Sequence, residues 1–153
     1  MKNLQSIKKQ ADNLLFLGFL LFLLGLITGL VVPAFANPRL GVSSHIEGVL
    51  NGIFLIVLAL VWHKLALSAG ALKTTYWLAL YGTFANWFAM LVAAGFNAGK
   101  MMGAMAGGQE GPPAAEAVVA FLLITLSVAM VIISVLVLVG LRNGSKRENQ
   151  VGK

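Results

Sequence analysis

Four stretches of this chain run for about 20 residues with almost no charge: 12–32, 44–62, 76–96 and 115–141. A helix of roughly 20 apolar residues spans the hydrocarbon core of a bilayer. Lipid offers backbone groups no water, so such segments must satisfy their own hydrogen bonds as helices. The alternation of a membrane β-strand is missing from all four. The expected fold is therefore all-α: an integral membrane four-helix bundle, in one transmembrane domain over 1–153 with a basic tail at 142–153. Composition agrees, with 59% hydrophobic residues, 10% charged and a mean hydropathy of +0.89. Soluble domains carry about a quarter charged residues.

A net charge of +6 is a nucleic-acid signal in some chains, but its placement here argues otherwise. The 11 basic residues cluster at the ends of the apolar runs. With the N-terminus inside, Lys2, Lys8, Lys9, Lys64, Lys73, Arg142, Lys146, Arg147 and Lys153 fall on the inner side. Only Arg39 and Lys100 fall outside. The positive-inside rule then places both termini in the cytoplasm, with membrane lipid rather than nucleic acid as partner. The longer outer loop, "NAGKMMGAMAGGQEGPP", reads as a flexible cover. Cys is absent, which excludes disulfides, thiolate chemistry and covalent c-type haem. Ala34-Phe35-Ala36 imitates a signal-peptidase site, but the preceding apolar run is longer than a signal core, so a retained helix is expected.

Polar residues inside membrane helices mark function or interhelical bonding. The second segment carries several in "SSHIEGVLNG". Ser44 and Glu47 have the S-x-x-E spacing of a capping box, which predicts a helix start at Ser44. Glu47 has a second reading as a proton-handling carboxylate. Gly48 and Gly52 lie at i+3 and i+7 from His45, so they share its face. That bare face suits close packing by another helix, the simpler account. It also suits a flat ligand such as haem, held by His45 as axial ligand. Asn51 faces an adjacent groove, as an interhelical amide or a substrate contact. His63 lies 18 residues further on, about 27 Å along a helix, so the two histidines cannot share one haem within one chain.

The third segment offers Trp62 (just before it), Tyr76 and Trp77 as interfacial anchors. Deeper lie Tyr81, Thr83, Asn86 and Trp87, a polar-aromatic stripe fit either for helix packing or for a small aromatic molecule. Glu116 opens the fourth segment, where a carboxylate suits the helix dipole.

"NPRLGVSSHIEGVLNGIFL" and "WLALYGTFANW" resemble the bacterial hydroxylaminobenzene mutases, which isomerise hydroxylaminobenzene to 2-aminophenol in nitroarene degradation. More distantly, the chain is similar to the styrene oxide isomerases, also four-helix membrane proteins, whose second helix has a His followed six residues later by Asn-Gly. That resemblance implies haem b with its iron on His45, Gly48 and Gly52 against the macrocycle, and a homo-oligomer, a trimer, with haem between subunits. It implies a substrate-side role for Asn51. Glu47, Tyr81 and Asn86 are the remaining catalytic candidates, and Arg39 and Lys100 the candidate propionate partners. The epoxide isomerases carry an aspartate where Tyr81 stands and a later tyrosine where Ala89 stands, which favours a different substrate, a small aromatic hydroxylamine. The expected location is the bacterial inner membrane. The competing readings are an epoxide isomerase, a small transporter and a non-catalytic interaction subunit. A transporter would want an ionisable residue near mid-membrane, whereas Glu47 and Glu116 read here as helix-end residues.

Overall fold

A computed structural model describes the backbone of residues 2–151 and the side chains of 4–146. Of the basic residues above, Lys153 and the side chains of Lys2 and Arg147 lie outside the described residues. Four long helices form: α1 (Lys2–Leu30), α2 (Pro38–Val61), α3 (Ala69–Phe96) and α4 (Pro113–Val151). All four are long and apolar enough to cross a membrane, and no strand occurs among the described residues. This is a multi-pass membrane protein.

The helices begin where capping chemistry puts them. Asn37 caps α2 by accepting from the Leu40 amide through its side chain, and Pro38 occupies the first turn, where no amide hydrogen is needed. The expected start at Ser44 is therefore corrected by six residues. Ser68 caps α3 in the same way through the Ala71 amide. Asn97 ends α3 in the left-handed conformation, at φ 54°, which asparagine tolerates. α1 and α4 extend past the apolar runs into polar sequence at one end.

Packing runs in series. α1 lies on α2, α2 on α3, and α3 on α4; among the described residues α4 makes no direct backbone contact with α1 or α2. Glycines set the α1–α2 seam. A Cβ on Gly48 would meet Gly25 Cα at 2.6 Å, and one on Gly52 would meet Phe22 N at 2.6 Å. The two backbones touch, as small residues allow in a membrane. Gly48 and Gly52 are thus filled by α1 and do not present a face to a cofactor, which corrects that reading.

The basic end of the bundle holds its larger core, around Leu14, Leu55, Leu58, Trp62, Leu72 and Tyr76. Trp62 and Tyr76 are buried there, edge to face at 6.4 Å, and only Trp77 is exposed as an anchor should be. Trp62 Nε1 donates to Gln10 Oε1, and Tyr76 Oη accepts from Asn13 Nδ2, so α1 covers both rings. A smaller core at the opposite end packs Leu40, Met90, Ala93, Ala94 and Val119 beneath the 97–112 loop. That loop is not a loose cover. Asn37 Nδ2 donates to Asn97 Oδ1 and to the Ala106 carbonyl, and Glu116 accepts from the Lys100 and Gly111 amides.

Candidate functional site

His45 sits two turns into α2 and lines an apolar groove of about 740 Å³ with Leu26, Gly29, Leu30, Val32, Pro33 and Val42. Its Nδ1 lies 2.8 Å from the Gly25 carbonyl oxygen. A carbonyl can only accept, so Nδ1 carries the proton and Nε2 keeps its lone pair. This is the arrangement of a metal-ligating histidine: one nitrogen held by a backbone carbonyl, the other free to bind. Gly29 makes it possible, because a Cβ there would stand 2.7 Å from Nδ1.

Glu47 sits one turn deeper than Ser43, on the side of α2 away from His45. It lies nine residues inside the helix, about 13 Å from its start, and so is not a cap. Ser44, its expected capping partner, is fully buried and donates to the Trp87 carbonyl on α3. The Glu47 carboxylate instead meets two amides. Asn86 Nδ2 donates to Oε2 at 2.6 Å and Asn51 Nδ2 donates to the same oxygen at 3.1 Å. Asn51 also donates to the Glu47 carbonyl, which fixes its rotamer. A carboxylate in a membrane needs such donors, because an unpaired one is costly. Among the described residues Oε1 has no partner, yet every fully buried side-chain polar atom does, so Oε1 reaches open space.

That space is a pocket of about 330 Å³. It exists because α2 and α4 stand apart, leaving a cleft floored by α3. Ser43, Ile46 and Glu47 line one wall, Asn86 and Met90 the floor, and Leu123 the far wall. Met102 and Met105 of the loop line it from above.

A family model described as styrene oxide isomerase matches residues 10–142. Hydroxylaminobenzene mutase HabB of Ectopseudomonas oleovorans is 51% identical over 140 residues, covering 91% of this chain and 85% of that protein. Hydroxylaminobenzene mutase HabA of the same organism is 43% identical over 125 residues, covering 81% and 93%. The chain belongs to the hydroxylaminobenzene mutase family. No solved structure matches it. As a member of the mutase family it is an enzyme, an isomerase.

Within this mutase-family chain, Glu47, Asn51 and Asn86 come together and Tyr81 does not join them. Tyr81 is on the α4 side of α3, and its hydroxyl pairs with Thr125 Oγ1 at 2.5 Å. The structure does not bring it to the Glu47 pocket. Thr83 bonds back to the Ala79 carbonyl and Trp87 Nε1 donates to Thr28 on α1, so both serve packing. Arg39 lines a separate polar depression with Asn37, Asn97 and Gln109 and is not among the residues of the His45 groove. His63 is exposed at the basic end, far from His45. Sequence reading missed Gly25, Gly29, Met102 and Met105. The spacing of Gly18, Gly25 and Gly29, at i, i+7 and i+11, was the available signal for one bare face of α1.

His45 and Glu47 are about 200° apart around α2 at about 100° per residue. Between the groove and the pocket runs an exposed apolar strip of Val42, Ile46, Leu50, Ile53 and Val57.

Proposed function

We propose that this protein converts hydroxylaminobenzene-type arylhydroxylamines to 2-aminophenols by moving the hydroxyl from nitrogen to the ortho carbon. The observation that carries this reading is the Glu47–Asn51–Asn86 cluster, whose free carboxylate oxygen opens into a mostly apolar pocket. The relatives named hydroxylaminobenzene mutase support the substrate class.

The reaction is an isomerisation, so it consumes no oxidant or reductant. It breaks a weak N–O bond, forms a C–O bond and moves a proton from the ortho ring carbon to the nitrogen. Glu47 Oε1 is the acceptor facing the pocket, so it takes and returns that proton. Asn51 and Asn86 hold Oε2, which aims Oε1 rather than letting the side chain rotate. The mostly apolar lining disfavours water beside a bound ring, where it would compete for the electron-poor carbon.

The reading includes haem b, and the residues present fit it. His45 offers Nε2 with its other nitrogen already anchored, and the groove beside it is apolar along its length. When bound, ferric haem supplies a Lewis-acid centre. His45 would hold the iron, with Leu26, Leu30 and Val42 against the macrocycle. The separation of His45 from Glu47 supports a homo-oligomer, the trimer implied by the family resemblance. Copies packed on the strip from Val42 to Val57 would cover both groove and pocket. We place the protein in the bacterial inner membrane with both termini cytoplasmic, since the described cations Lys8, Lys9, Lys64, Lys73, Arg142 and Lys146 share one end. An epoxide isomerase is the second reading, supported by the family model.

Product analysis tests the proposal. Purified protein given phenylhydroxylamine should yield 2-aminophenol with a proportionate loss of substrate. Recovery of only substrate and its spontaneous oxidation products would rule the proposal out.

A further inference from the structure

The pocket beside Glu47 has a roof that differs from its walls. Three methionines face it: Met90 from α3, and Met102 and Met105 from the 97–112 loop. The loop is pinned on both sides of these residues. Glu116 holds the Lys100 and Gly111 amides, Asn37 holds Ala106, and Gln109 accepts from Asn97 Nδ2. Ala106 is buried against the space left by Gly99. Between the pins, Met105 Sδ lies 3.1 Å from Ser43 Oγ, whose one proton it shares with the Arg39 carbonyl at 3.2 Å, and this contact sets the side chain over the pocket mouth. Met101, next to Met102 in sequence, is as exposed as Met105 but is not part of the lining.

Methionine is unbranched, polarizable and favourable against aromatic ring edges, so it shapes itself to a ring rather than fixing one outline. A cavity of about 150 Å³ holds benzene. The 330 Å³ here is about twice that, so it takes one ring with a polar substituent and leaves a bounded space beneath the roof for a group on the ring.

We propose that Met102 and Met105 are the specificity-determining residues of this enzyme: they contact the ring of a single-ring arylhydroxylamine on the side away from Glu47 and set how large a ring substituent is accepted. The loop is a fixed ceiling whose height the two thioethers define, while Glu47 and Asn86 hold the polar end. This rests on the arylhydroxylamine reading above, and it adds the residues that choose among such substrates.

The test compares kcat/KM for phenylhydroxylamine and for its 4-tert-butyl analogue, using the full-length protein as purified from the membrane. Met102→Ala and Met105→Ala should raise the ratio of bulky to unsubstituted substrate by about tenfold or more, the scale on which apolar pockets discriminate. Met101→Ala should leave the ratio unchanged. Met105→Phe, which needs no cavity, should move the ratio the opposite way and stands in if an alanine variant does not fold. Equal losses on both substrates, or a shift as large in Met101→Ala, overturn the proposal while the mutase reading stands. A wild-type protein that forms no aminophenol from either compound overturns both.

Discussion

Replacing Gly29 by Ala tests the histidine geometry without touching the histidine. The added Cβ would lie 2.7 Å from His45 Nδ1, 3.0 Å from Cε1 and 3.1 Å from Cγ. Ordinary contact begins at 3.4 Å, so the ring must retreat by about 0.7 Å. Directed away from the Gly25 carbonyl, that motion stretches the 2.8 Å contact of Nδ1 to at most about 3.5 Å, where the hydrogen bond is lost. The lost bond costs about 1 kcal/mol and the crowding about 1–3 kcal/mol. The displaced ring of the free protein escapes the crowding, and a ligand on Nε2 must bring it back, so about 1–3 kcal/mol falls on binding and lowers affinity by between roughly 5-fold and 150-fold. Haem titration of the apoprotein, followed at the Soret band, measures this. Gly95→Ala is the control, since nothing lies within 4 Å of its Cβ. A thermal-melt cycle separates the clash from general damage: in a His45→Ala background, the stability cost of Gly29→Ala should vanish. Wild-type haem affinity in Gly29→Ala, or a cost that persists without the imidazole, would refute the reasoning.

Three further changes probe the residues around it. His45→Ala should abolish both the Soret band and turnover; a full Soret band in the purified variant would show that the ligand lies elsewhere. Glu47→Gln keeps size and most hydrogen bonding but removes the proton acceptor, so kcat should fall by about 100-fold or more with fold intact by circular dichroism. Tyr81→Phe should change kcat/KM less than twofold, because its hydroxyl bonds Thr125 and not the pocket; a large loss would return Tyr81 to the site.

The spans were legible because lipid enforces them, and His45 because an imidazole within an apolar run is conspicuous. Asn51 and Asn86 were legible as polar groups, though not as partners of one carboxylate. The start of α2 was misread because S-x-x-E recurs inside helices, where Ser44 bonds a neighbouring helix instead of its own amides. Asn37-Pro38 was the better signal. The glycine pair was read with His45, but its occupant is the α1 backbone, which no single-helix pattern reveals. Trp62 and Tyr76 looked like anchors by depth, yet α1 extends far enough to bury them. The pocket itself depends on α2 and α4 standing apart, a property of the assembly rather than of any segment.

The central claim is that the substrate's own hydroxyl moves from nitrogen to carbon in a mostly apolar pocket. Turnover of phenylhydroxylamine in water enriched in ¹⁸O tests it most directly, with the 2-aminophenol analysed by mass spectrometry. Intramolecular transfer predicts a product carrying the substrate's own oxygen and no enrichment. A product labelled to the level of the solvent would contradict the account.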